Sequence, residues 1–523
     1  RPGRWRRRTR VARPDRACGK CQRRGESHRE SRDAGPPPPA TRALTSTTAA
    51  PSTTSDAAAP PTAPPTTAAS LEYAIEWASA GDRVDRGRLT VPLDYADPGG
   101  ETIELEVARH RAPDGSRVGA MLVNRGGPGA ASSDMAYSAT NWFPSEITDR
   151  FDIVAWDPRG TGQSGAAVDC IDDADHDRHF AEIDITPDDD AARDELVALA
   201  EEFAAGCVER TEGLTYIGTT NSARDMDAIR QALGEPQVSY FGFSYGSALG
   251  AAWATLFPDT VRAAVLDGAT DPSVEPLERS RQQLVAFEES LSTFLDECGG
   301  GSCEFANGGD PAAALDELLL SLDAEPVPTV GGRADLNRGV ATTGIVQAMY
   351  SDAYWPTLER ALEDAAAGDG SGLLALHDTY HQRADDGTYP SLIESFQAIT
   401  CMDRAERLSV EEADANAVVL TDAAPRLSPG DVGSYFCTFF PESAEPMIDI
   451  TGVGAGPIVV IGTTGDPATP LGSSQAMADA LEDGRFLVVD ANRHTGYGVD
   501  DCVDGAVNDY LVQLTAPDDT TCR

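Results

Sequence analysis

Residues 238–253 read Val-Ser-Tyr-Phe-Gly-Phe-Ser-Tyr-Gly-Ser-Ala-Leu-Gly-Ala-Ala-Trp. The first six are rich in β-branched and aromatic side chains and predict a strand, whereas the Ala-rich continuation through Phe257 predicts a helix. At the junction stands Gly242-x-Ser244-x-Gly246, the pattern of a strand-to-helix elbow. Its glycines allow a tight turn and close packing, and its serine is held up at the helix N-terminus. The bare pattern is common in ordinary loops. With a strand before it and a helix after it, Ser244 reads as a nucleophile, and Ser247, one turn on, reads as structural.

Outward from this elbow, short apolar runs alternate with amphipathic segments. Strands are expected at 101–109, 119–124, 151–156, 238–243, 261–266, 457–462 and 485–490. Such alternation predicts an α/β protein with a mostly parallel sheet and helices on its faces, whose sites form at the carboxyl ends of the strands. Leu196, Leu199, Phe203 and Cys207 fall at helical spacing, as do Leu284, Phe287, Leu291, Phe294 and Cys298. Residues 271–454 break the alternation and read as a mainly helical insertion between two strands, a lid. The expected organisation is a basic segment 1–35, a Thr/Pro/Ala-rich linker 36–70, a first core part 71–270, the lid 271–454 and a C-terminal core part 455–523.

A serine hydroxyl is a weak nucleophile until a base takes its proton, and the base needs a third group to orient it. After an elbow of this type the chain order is Ser, acid, His. Three histidines follow Ser244: His377 and His381 lie in the lid, and His494 follows the strand 485–490, so His494 is the expected base. Asp466, on the loop after the apolar strand 457–462, is the expected acid. Asp267 and Asp490 are its rivals, each equally readable as a turn or cap residue. The glycine-rich stretch Asn124-Arg125-Gly126-Gly127-Pro128-Gly129 follows another strand. It points to backbone N–H groups of Gly127 and Tyr245 as an oxyanion hole, although such a string also makes a simple tight turn. The stretch Asp157–Ser164 reads as a structural tie between neighbouring loops.

Composition limits the partners. The 523 residues hold 85 acidic and 41 basic side chains, a net charge of −44. Residues 1–35 carry thirteen basic and four acidic residues, so the other 488 carry −53. A nucleic-acid partner is disfavoured, because polyanion binding needs Lys and Arg to neutralise phosphates. No apolar run is long enough to span a membrane. The basic segment has charges but no apolar run of the secretory-signal kind; it reads as a spectator outside the folded protein or as a solvated arm. Cys18, Cys21 and His28 are too few ligands for a structural zinc site, and no metal or cofactor is expected. The other eight cysteines, Cys170, Cys207, Cys298, Cys303, Cys401, Cys437, Cys502 and Cys522, read as disulfides between sequence neighbours and hence an oxidising compartment, with buried free thiols as the alternative.

Taken together, several stretches resemble the α/β-hydrolase serine exopeptidases of the prolyl-aminopeptidase type, and within them the secreted actinobacterial tripeptidyl aminopeptidases. They are Val91-Pro92-Leu93-Asp94-Tyr95, Asn124–Gly129, Asp157–Ser164, Gly242–Gly246, Ala398–Asp403, Gly462–Pro470 and His494–Gly498. The resemblance implies an α/β-hydrolase fold with a TAP-like C-terminal region. It also implies acyl-enzyme chemistry on Ser244 with Asp466 and His494, a peptide substrate with a free N-terminus, and an exported or surface-attached protein. Lid acids of that family meet the substrate ammonium; the candidates here are Glu278, Glu288, Glu289, Glu394 and Asp403, among which spacing does not choose. A Cys pair that often precedes the Val-Pro-Leu-Asp-Tyr motif in that family is absent. A carboxylesterase or lipase of the same fold is the enzymatic alternative, and a non-catalytic surface binding module is the other.

Overall fold

The computed structural model describes residues 72–522 apart from 184, 188, 306–308 and 429–434. The basic segment, the Thr/Pro/Ala-rich linker, Cys18, Cys21 and His28 therefore lie outside the described residues. Ten strands form one sheet: β1 (Ala78–Gly81), β2 (Val84–Pro92), β3 (Thr102–His110), β4 (Gly119–Asn124), β5 (Phe151–Trp156), β6 (Val238–Phe243), β7 (Val261–Asp267), β8 (Ile458–Thr463), β9 (Gly484–Val489) and β10 (Thr520–Cys522). Their order is β1-β2-β3-β5-β4-β6-β7-β8-β9-β10. The first three strands and the β3–β5 pair are antiparallel, and every pair from β5 onward is parallel.

Every residue of β4, β5, β6 and β8 is buried. That is the burial expected of parallel strands covered on both faces, and it explains their mostly apolar runs. One face packs Leu122, Tyr240 and Leu266 against Trp253 and Leu249 of helix α3 (Tyr245–Leu256), beside helix α2 (Thr219–Ala232). The other packs Phe241, Phe243 and Val459 against Phe143 and Tyr497. Strands β1, β2 and β10 were not among the expected ones. In β2, Val84, Leu89 and Val91 are buried while Arg86, Arg88 and Thr90 face solvent, so polar residues dilute the apolar signal. Strand β1 is wholly exposed, and β10 has three residues.

Between the adjacent strands β7 and β8 the chain leaves the sheet and builds the lid. It holds α4 (Pro276–Glu297), α5 (Pro311–Ala324), α6 (Arg338–Met349), α7 (Trp355–Ala366), α8 (Ser371–Tyr380), α9 (Leu392–Met402) and α10 (Val410–Ala423). The lid has its own apolar core, in which Leu291, Phe294, Leu315, Ile345 and Leu358 pack together. A second cluster joins helix α1 (Asp190–Arg210) to the end of the lid through Phe203, Ile399, Phe436 and Phe440. Four disulfides pair sequence neighbours: Cys170–Cys207, Cys298–Cys303, Cys401–Cys437 and Cys502–Cys522.

The stretch Asp157–Ser164 knits the loops above the sheet. The Asp157 carboxylate accepts the Ser132, Ser133 and Gln163 amides at 2.9–3.0 Å. Arg159 is fully buried; it forks onto Asp225 of α2 at 2.7 and 2.8 Å and donates to the Pro92, Leu93 and Tyr216 carbonyls. The Tyr95 hydroxyl completes this knot by donating to Asp225 at 2.7 Å. A buried guanidinium is tolerable only when its donors are satisfied, and here carbonyls and a carboxylate satisfy them.

Candidate active site

Ser244 occupies the turn between β6 and α3 with φ 54° and ψ −127°, a backbone region that non-glycine residues rarely adopt. Its N–H donates to the Asp267 carbonyl at 2.8 Å. The turn works only because its neighbours lack side chains. A Cβ on Gly242 would lie 2.3 Å from the Gly246 carbonyl oxygen, and one on Gly246 would lie 2.9 Å from the Asn124 carbonyl oxygen.

The Asn124–Gly129 loop presses against this elbow. At Gly126, with φ +100°, a Cβ would meet the Phe243 oxygen at 2.6 Å and the Ser244 Cβ at 2.8 Å. The Gly126 N–H is held by the Asn124 side-chain oxygen at 2.9 Å, whereas the Gly127 N–H has no acceptor among the described residues. Tyr245 is the first residue of α3, so its N–H has no acceptor within the helix. The Tyr245 amide thus follows Ser244 at a positive helix end, and the Gly127 amide lies on the loop whose Gly126 packs on Ser244, an arrangement that suits an anionic oxygen.

His494 lies on the loop after β9. Its Nδ1 is 2.9 and 3.0 Å from the two oxygens of Asp466, and a carboxylate can only accept, so Nδ1 carries the proton. Asp466 is buried and also accepts the Ala468, Thr469 and Thr495 amides and the Thr469 hydroxyl, at 2.8–3.2 Å. The remaining nitrogen, Nε2, is buried and makes no hydrogen bond. Gly268, with φ +70°, leaves room for the ring, since a Cβ there would sit 3.1 Å from His494 Cε1. Burial alone would lower the His494 pKa, but the charge and hydrogen bond of Asp466 outweigh it and hold it above 6.5.

The two rival acids have other partners. Asp267 is fully buried and accepts the Gly496 and Tyr497 amides at 2.8 and 2.9 Å, which anchors the histidine loop to the end of β7. Burial, only partly offset by those amides, pushes its pKa up to about 6. Asp490 accepts the Thr464 hydroxyl on the exposed rim.

Several contacts here lack a sequence signal. The backbone carbonyl of Tyr350, at the end of α6, accepts the His494 backbone N–H at 2.9 Å, and the Tyr350 ring lies edge-on to the imidazole at 5.6 Å. Ser351 pairs with Arg493 in a β-bridge, so the lid is fastened to the histidine loop. Thr469 has a readable cue, because an aspartate three residues earlier commonly folds back onto its amide. Gly129 abuts α9 so closely that a Cβ would lie 2.5 Å from the Leu392 oxygen.

The five lid acids fall in separate places. Glu278 is paired with Arg281 at 2.7 Å, Glu288 with Arg426 at 3.2 Å, and Glu289 is exposed. Glu394 accepts the Cys170 and Ile171 amides, and burial pushes its pKa up to about 7. Asp403 binds Thr219, next to Tyr245.

The comparisons with known proteins fit this geometry. The alpha/beta hydrolase fold model matches residues 119–305, and the TAP-like protein model matches residues 431–522. The serine protease Hip1 of Mycobacterium tuberculosis is 34% identical over 82% of this chain and 85% of its own length. Carboxylesterase B of the same species is 35% identical over 82% and 84%. The tripeptidyl aminopeptidase of Streptomyces lividans is 31% identical over 83% of each chain. The chain is a serine hydrolase and belongs to the α/β-hydrolase-fold family whose members carry a TAP-like C-terminal region.

Proposed function

We propose that this protein is an exported serine aminopeptidase that cleaves peptide bonds near a free N-terminus, with Ser244, His494 and Asp466 as its triad. The observation that carries the mechanism is the Asp466–His494 pair, which leaves Nε2 buried, basic and without a partner. In the first step the Ser244 hydroxyl oxygen bonds to the carbonyl carbon while its proton passes to His494 Nε2. Charge on the carbonyl oxygen is met by the Gly127 and Tyr245 amides. Collapse breaks the C–N bond as the imidazolium gives its proton to the leaving amine, and water then releases the acyl group by the same sequence.

The lid supports action at a chain end. It is fastened to the histidine loop through Tyr350 and packed on the Gly129 loop through α9, contacts that set it beside the proposed triad and favour a substrate entering by one end. Residues 271–454 also carry 33 acidic side chains against nine arginines. That field favours an ammonium over a carboxylate. Because four of the five acidic candidates already bind other groups of the protein, the ammonium is assigned to the collective field rather than to one of them. The disulfides support an oxidising compartment outside the cytoplasm. Among the described residues no helix is long and apolar enough to cross a membrane. The relative named carboxylesterase B keeps ester hydrolysis as the second reading.

Matched tripeptidyl substrates with free and acetylated N-termini, and a short-chain ester, test the proposal. The wild type is expected to prefer the free amine, and Ser244→Ala to lose cleavage and fluorophosphonate labelling together. Equal cleavage of free and blocked peptides would sink the aminopeptidase reading, and turnover of the ester alone would establish the esterase.

A further inference from the structure

Helix α2 starts without a cap of its own, because the residue before it is Gly218, which has no side chain to accept an amide. The acceptor comes from the lid. Asp403, directly after α9, places Oδ1 2.6 Å from the Thr219 N–H and Oδ2 2.6 Å from the Thr219 hydroxyl. A glycine at 218 eases this approach, since a Cβ there would lie 3.1 Å from Asp403 Oδ1 and the carboxylate would have to give way. The carboxylate is held on its own side by the Cys401–Cys437 disulfide two residues back, and by the Met447 N–H donating to the Asp403 carbonyl at 3.1 Å.

A cap alone would end at the Thr219 amide, but this arrangement continues. The Tyr245 hydroxyl lies 2.6 Å from the Thr219 hydroxyl oxygen. Thr219 has one hydroxyl proton and gives it to the carboxylate, so the phenol must be the donor in the next link. The order of donation is therefore fixed: Tyr245 to Thr219, Thr219 to Asp403. Thr219 is fully buried, and burial together with the nearby Asp403 charge keeps the phenol protonated. Tyr245 is the residue after Ser244, and its backbone N–H is the first of α3.

We propose that the chain Asp403–Thr219–Tyr245 is a positioning device through which the lid holds the Tyr245 amide in place to meet the developing oxyanion at Ser244. This inference rests on the reading of Ser244 as nucleophile and of the Tyr245 N–H as oxyanion donor. Asp403 and Thr219 touch no reacting atom; they act through the phenol, which fixes the first residue of α3 from its side-chain end. Losing an oxyanion donor outright costs about 10²–10³ in kcat, and letting one drift costs a fraction of that.

The test uses the full chain and a free-amine tripeptidyl substrate. Tyr245→Phe leaves the backbone N–H and ring in place, and it is expected to lower kcat about tenfold with KM changed less than twofold. Thr219→Val is expected to do the same, and the double variant to be no slower than either single, because one broken link already empties the chain. Thr219→Ser, which restores the hydroxyl, should recover most of the loss. Fluorophosphonate labelling of Ser244 should slow by the same factor as kcat, since the phosphonyl oxygen occupies the same hole. An unchanged kcat in Tyr245→Phe, a change confined to KM, or independent losses in the double variant would each overturn the positioning role. Thermal melting of each variant separates this from the helix cap, whose loss lowers stability without the kcat-specific pattern. Retention of full activity by Ser244→Ala would instead overturn the underlying reading.

Discussion

His494 is placed between two carboxylates with different work. Asp466 bonds its Nδ1, whereas Asp267 bonds the amides of the next two residues on the same loop, Gly496 and Tyr497. In the proposed mechanism the base must be neutral to accept the Ser244 proton. Its pKa is held above 6.5 by Asp466, so kcat/KM should fall as pH drops through a value above 6.5. Asp466→Asn removes the charge that raises this pKa and lets the ring take the wrong tautomer. The acid limb of the pH–rate profile should then shift to lower pH, and kcat should fall about 10⁴-fold, the loss measured when a serine protease triad is altered in this way. A profile whose acid limb stays where it was would show that Asp466 does not tune His494.

The short helix His176–Phe180 meets lid helix α8 through buried histidines. His176 stacks on Tyr389 with ring centroids 3.5 Å apart and meets His381 edge-on at 5.0 Å, and His381 stacks on His377 at 4.3 Å. Asp177, His179 and Arg333 also face this group. Burial first, then the neighbouring His377, pushes the His176 pKa down to about 4. The folded pKa is lowered, so the associated stability is complete above about pH 6.5 and is lost as pH falls towards 4, up to about 3 kcal/mol for this one residue. Calorimetry between pH 7 and 4 should show a falling Tm, and His176→Phe, which keeps the stack without the titrating nitrogen, should flatten that slope. Legibility from sequence follows the same division between local and tertiary causes. Strands β4 to β8 announce themselves because nearly every position is buried and each run is mostly apolar. Strand β2 does not, because its Asp85, Arg86 and Arg88 are accommodated by Arg109 and Glu106 across the sheet. Ser244, Asp466 and His494 each follow a readable strand. Tyr350 and the Thr219–Asp403 contact do not: their partners lie 144 and 184 residues away, and only the docked lid brings them together.

Charge acts on the whole molecule. The net charge of −44 is unevenly spread, and residues 271–454, the insertion that builds the lid, hold 33 acids against nine arginines. A low-dielectric cleft under one sign of charge concentrates oppositely charged ligands and raises their encounter rate. For a peptide with a free N-terminus the attraction acts on the ammonium, before any bond at Ser244 changes. It should therefore appear in kcat/KM and leave kcat alone. Salt screens such a field: the Debye length falls from about 30 Å at about 0.01 M to about 3 Å at about 1 M. Across that range kcat/KM for a free tripeptidyl substrate should drop severalfold. The acetylated analogue, which has no ammonium, should show a flat or slightly rising response. Charge that served solubility alone would give both substrates the same salt dependence, so the difference between the two curves is the quantity that decides whether the lid's acidity selects substrate.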